Sequence, residues 1–133
     1  MCTEGKMDKL DVIFNMQAKL NGYIQSSRNL TEMRDFNTAI QKHATALLCE
    51  LTEVIEETNY KWWKNPKEID IRRVKEELID VLHFYISMCL DAGMTSDEML
   101  EIYLSKNKEN FDRQNGISQK KGYELSGNSG DKK

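Results

Sequence analysis

The chain has little that would break a helix. Its 133 residues include one proline, Pro66, and no glycine between Gly22 and Gly93. Long helices with few interruptions follow from that scarcity. Cysteine is sparse as well. Cys2, Cys49 and Cys89 are odd in number and lack metal-type pair spacing, which reads as reduced thiols lining a core. There is no excess of positive charge: the formal net charge is -3, so the general basic footprint of a nucleic-acid binder is missing. No apolar run approaches the roughly 20 residues that span a bilayer, and "MCTEGKMDKL" lacks the apolar core of a signal peptide. The expectation is a cytoplasmic protein with no nucleic-acid or membrane partner.

What is present is helical periodicity. Leu10, Ile13, Phe14, Ala18, Leu20 and Ile24 mark a first helix from about Met7 to Ser26. A second begins after Asn29 or Thr31, with Thr31 as candidate N-cap. It continues through "FNTAIQKHATALLCELTEVIEETN", with a break placed near His43. "WWKNPKEID" reads as a loop, because Pro66 drives Asn65 out of the helical region. A third helix spans Ile71 to Ala92 and stops at Gly93. A fourth, capped by Thr95 or Ser96, ends near Arg113. The expected fold is all-α, an antiparallel bundle of four to five helices. Residues 1–123 are expected to form one domain, and 124–133, ending "SGNSGDKK", a disordered tail. The methionines, Met16, Met88 and Met99 included, read as packing.

The carboxylates carry the chemistry. Residues on a helix advance by about 100°, so with Glu50 at zero, Glu53 falls near about 300°. Leu47, Leu51, Val54 and Ile55 occupy the adjoining arc, so the acids flank the apolar stripe. The third helix repeats the arrangement: Glu77 and Asp80 flank Leu78, Val81, Leu82, Tyr85 and Cys89. Packing the two helices by their stripes brings four carboxylates to one edge. Such a set repels itself unless compensated. A hard divalent cation does so, and Mg²⁺ takes oxygen ligands and favours phosphate-bearing substrates. The bland alternative is a solvated flank laced by pairs such as Glu57 with Lys61.

"ALLCELTEVIEETNYKWWK", "VKEELIDVLHFYISMCLDAG", "YLSKNKENFDRQ" and "KGY" together resemble the dimeric all-α dUTP diphosphatases, within the MazG-like pyrophosphohydrolases. The resemblance covers roughly Phe14 to Tyr123. It implies Mg²⁺ held by Glu50, Glu53, Glu77 and Asp80, with Glu50 or Glu53 also orienting the attacking water. The implied reaction is hydrolysis of dUTP, and of dUDP, to dUMP by a homodimer. By position, Gln17 and Asn21 read the base, and Trp62 or Trp63 walls the sugar or base pocket. One of the two tryptophans is expected to be packing. His83 approaches the nucleoside, and Lys106, Asn107, Asn110 and Arg113 meet phosphate and sugar oxygens. Two alternatives stand beside this reading: a broader or dCTP-directed MazG-type pyrophosphohydrolase, and a non-catalytic helical interaction module.

Overall fold

A computed structural model describes residues 6–123. Cys2 and residues 124–133, the tail expected to be disordered, lie outside the described residues. The protein is all-α: α1 (Lys9–Ser27), a 3-10 turn (Thr31–Arg34), α2 (Phe36–Glu56), α3 (Ile71–Asp91) and α4 (Ser96–Gln114), with no strand among the described residues. Two compact units divide the chain after Thr95. The first holds α1 to α3; the second begins with α4.

Each start and stop in the first unit has a local cause. Asp8 and Asp11 form a reciprocal capping box at the head of α1. Asn29, at φ 51°, takes the left-handed position after α1, and Leu30 N–H returns to the Gln25 carbonyl at 2.9 Å. Thr31 opens the 3-10 turn and does not cap α2. Asp35 does, because its carboxylate accepts both the Thr38 N–H (2.9 Å) and the Thr38 hydroxyl (2.8 Å). Those bonds hold the Asp35 carboxyl below its usual range. Past that cap α2 runs without a break at His43, whose ring pairs instead with Asp91 on α3.

Asp70 caps α3 by accepting from the Arg72 N–H at 3.0 Å and the Arg73 N–H at 3.4 Å. Gly93, at φ 70°, ends it. Met94 N–H bonds the Cys89 carbonyl and Gly93 N–H the Leu90 carbonyl, the paired closure that a left-handed glycine permits. Replacing Asp70 by alanine is expected to cost about 1 kcal/mol. Urea unfolding measures it, and an unchanged midpoint would mean the cap is idle in solution.

α2 and α3 pack antiparallel: His43 meets Asp91 at one end and Glu57 meets Arg73 at the other. α1 lies along α3 in the same direction, since Gln17 contacts His83 and Asn21 contacts Ser87. The fully buried set is small, comprising Phe14, Gln17, Ala39, Ile86, Ser87 and Cys89. Several expected core positions are exposed. Ile13, Leu20, Leu51, Ile55, Leu78 and Tyr85 are between 37 % and 48 % exposed. Cys49 is exposed, so only Cys89 among the described thiols lines the core. Met16 is exposed too, in the groove between α1 and α3. The periodicity identified the apolar faces; a single chain covers only part of them.

Candidate metal and nucleotide site

α2 and α3 each offer one pair of acids spaced by three residues, and their antiparallel packing brings the pairs together. A carboxylate oxygen from each of Glu50, Glu53, Glu77 and Asp80 lies within 4.8 Å of the others. That spacing is close enough for these carboxylates to share a bound hard cation.

The electrostatics match that crowding. Burial raises the Glu50 carboxyl pKa first, followed by the neighbouring Glu53 carboxyl and then the Asp80 charge. Glu77 is raised chiefly by its hydrogen bond with Glu53, then by burial and by the charges of Glu53, Asp80 and Glu50. Within this cluster the Glu77 Oε2 atom is buried and has no hydrogen-bond partner. A buried carboxylate oxygen lacking a donor is costly, and a cation bound by the cluster would supply its missing partner. The all-oxygen donor set suits a hard divalent ion. Glu57 does not pair with Lys61; it reaches across to Arg73 at 3.4 Å.

Beside the acids, the segment between α2 and α3 is tied at its neck. Asn59 grips Lys67 twice, its Oδ1 accepting the Lys67 N–H (2.9 Å) and its Nδ2 donating to the Lys67 carbonyl (3.0 Å). Lys67 Nζ bonds the Glu56 carbonyl at 3.1 Å, meeting a free acceptor at the end of α2. The loop and the last turn of α2 enclose a hollow of about 750 Å³ lined by Glu56, Asn59, Lys61, Trp63, Lys64 and Lys67, among others. Trp62 stands edge-on to Trp63 at 4.8 Å. They are 85 % and 63 % exposed, so neither packs in the core of this chain. The lysines were missed in the sequence because a lysine run usually marks a solvated face. Two asparagines and three lysines around a lone proline were the available signal.

Gln17 and Asn21 belong to a polar chain between α1 and α3. Gln17 Nε2 donates to Asn21 Oδ1 at 2.9 Å, and Gln17 Oε1 lies 2.6 Å from His83 Nδ1. Asn21 Nδ2 donates to Ser87 Oγ at 3.0 Å. Gln17 is only 7 % exposed. Each of its polar atoms makes one bond within the protein, which fixes the amide's orientation and leaves one N–H and one lone pair beyond those bonds. A groove of about 520 Å³ runs beside this chain, walled by Val12, Ile13, Met16, Leu20, Ile79 and His83 among others. Ser87 was not singled out in the sequence, where an isolated helical serine carries no signal.

Lys106, Asn107, Asn110 and Arg113 lie on α4, in the second unit. There Arg113 binds Glu109 at 3.2 Å and stands 5.5 Å from the Tyr123 ring centre.

An all-α scaffold with paired acids converging from two antiparallel helices defines a candidate cation-dependent centre. The sequence profile of the dUTPases matches residues 9–96, the span from α1 to the first residue of α4. The chain belongs to the dUTPase family. It is similar to the dCTP pyrophosphatases of Enterobacteria phage T4 and Enterobacteria phage LZ5, each 42 % identical over 45 residues. That stretch covers 34 % of this chain and 26 % of either relative, so the chain spans about a quarter of their length. No solved structure matches the chain.

Proposed function

We propose that the protein is a Mg²⁺-dependent nucleoside triphosphate diphosphatase that hydrolyses dUTP, and dUDP, to dUMP. The observation that carries this reading is the convergence of Glu50, Glu53, Glu77 and Asp80, with the buried, partnerless Glu77 Oε2 among them. These four residues would hold the cation, which when bound neutralises charge developing on the phosphates. The protein's own groups do the rest. Glu50 or Glu53 orients the attacking water, and Trp63, with Trp62 against it, borders the nucleoside. Lys61 and Lys64 line the hollow at the end of α2 and are assigned to the charge of the polyphosphate. Lys106, Asn107, Asn110 and Arg113 are assigned to phosphate and sugar contacts on sequence pattern.

The working form is a homodimer. Its support is the apolar surface left open on α1, α2 and α3, including Val12, Leu20, Leu51, Leu78 and Tyr85. Surface of that extent is characteristic of an interface. No single described helix is long and apolar enough to cross a membrane, and we assign the protein to the cytoplasm, where nucleotide pools are maintained.

A second reading is favoured by the two phage relatives named as dCTP pyrophosphatases: the same chemistry directed at dCTP. Pyrophosphate and phosphate release from a panel of deoxynucleotides, with Mg²⁺ and with chelator, decides between them. Turnover of dUTP that chelator abolishes is the expected result. Turnover confined to dCTP would replace the substrate and keep the chemistry. No turnover of any nucleotide would overturn the enzyme reading and leave a helical interaction module.

A further inference from the structure

A ring of hydrogen bonds begins and ends on one residue. The Ser87 hydroxyl donates to the His83 backbone carbonyl at 2.7 Å, and Asn21 Nδ2 donates to Ser87 Oγ at 3.0 Å. Gln17 Nε2 donates to Asn21 Oδ1 at 2.9 Å, and Gln17 Oε1 faces the His83 ring at Nδ1, 2.6 Å away. The ring joins the backbone of His83 to its own imidazole by way of α1.

Its direction is set by its first member. A carbonyl oxygen only accepts, so the one hydroxyl hydrogen of Ser87 is committed to it, and Ser87 Oγ presents lone pairs to Asn21. Asn21 must therefore turn its NH₂ to Ser87 and its oxygen to Gln17. Gln17 answers with its NH₂ and turns its own oxygen to His83. That oxygen also only accepts, so Nδ1 has to carry the proton. Running the ring the other way gives up the Ser87–His83 bond. The sacrifice falls where Ser87 is 1 % exposed and Gln17 7 %, and a lost bond in such a place is expensive.

We infer that Ser87 is a positioning residue which, through Asn21 and Gln17, holds neutral His83 in its Nδ1–H tautomer and leaves Nε2 as a hydrogen-bond acceptor. The nitrogen that carries the proton is decided by the bond made at the other end of the chain of partners. His83 is exposed and borders the groove between α1 and α3. In the proposed nucleotide site an acceptor at Nε2 favours a base edge that presents an N–H and disfavours one that presents a lone pair. That consequence rests on the proposed function. The tautomer does not, being a property of the free protein.

Nitrogen-15 NMR of the ligand-free full chain, at a pH well above the ordinary imidazole value of about 6.5, reads the tautomer directly. The expected spectrum has His83 Nδ1 protonated and pyrrole-like, and Nε2 bare and pyridine-like. Ser87→Ala should shift His83 to a mixture of both tautomers while the far-ultraviolet spectrum stays helical. If that variant fails to fold, Asn21→Ala interrupts the same ring one link nearer the imidazole and should give the same mixture. A wild-type His83 protonated at Nε2 overturns the inference outright. A wild-type Nδ1–H form that survives a folded Ser87→Ala or Asn21→Ala unchanged overturns the role of Ser87, leaving Gln17 alone to set the ring. Since no nucleotide is present, a negative result here says nothing against the hydrolase, and an inactive enzyme says nothing against the tautomer.

Discussion

Replacing Glu53 by glutamine should weaken divalent-cation binding by about 100-fold or more, at least the upper end of what outer-sphere partners of a metal site contribute, and should abolish turnover with it. The same substitution should make the cation-free protein more stable. Glu53 helps to raise both Glu50 and Glu77, by hydrogen bonding and by charge. An amide there removes the charge and adds a donor for its neighbours. The pH dependence has a definite sign. Glu50 and Glu77 hold protons more tightly in the folded chain than in the unfolded one. The cation-free fold therefore binds more protons than the unfolded state as pH rises above the ordinary glutamate range. Its stability must fall across that window, until the raised folded values are passed. Glu53→Gln should flatten the fall, and saturating Mg²⁺ should reverse it. Isothermal titration with Mg²⁺ and thermal melts from acid to neutral pH measure both effects. Unchanged Mg²⁺ affinity, together with an unchanged pH profile, would reduce the four acids to a charged surface.

Ile86→Ala should be the most destabilising single change in the first unit, at about 2–5 kcal/mol. Ile86 is 1 % exposed and lies where α3 meets α1. With so few buried side chains, that loss is a large share of the roughly 5–15 kcal/mol typical of a domain. The damage should be local before it is global. α1 is held to α3 by this contact and by the polar chain through Gln17 and Asn21, whereas α2 and α3 share a longer interface. Hydrogen exchange should quicken in α1 more than in α2, and Mg²⁺ binding at the α2–α3 carboxylates should outlast nucleotide turnover. Uniform quickening of all three helices would show that they open as one cooperative unit.

The helices and the acid cluster could be read from sequence because both obey the same geometry. Side chains three or four apart share a face, and that single rule places Glu50 by Glu53, Glu77 by Asp80, and each pair at the border of an apolar stripe. What the rule cannot supply is the choice among competing local partners. Thr31 and Asp35 are both capable caps, and only the two bonds Asp35 makes to Thr38 decide between them. Nor does periodicity reveal who covers a face. Leu51, Leu78 and Tyr85 have core-like spacing and remain open in one chain. Gln17 and Asn21 gave no sign of their partners because His83, which faces Gln17, and Ser87, which accepts from Asn21, each lie 66 residues further along the chain.

The Asn59–Lys67 clasp separates two histories of change. Closed at its neck, the loop of residues 60–66 can exchange side chains at its tip while α2 and α3, and the carboxylates they carry, keep their register. Tryptophans, lysines and Pro66 therefore occupy a replaceable cassette, joined to helices whose carboxylate cluster has no such freedom. Under the proposed function, descent within a lineage built on this plan would be expected to diversify which nucleotide is admitted far sooner than how its phosphates are handled.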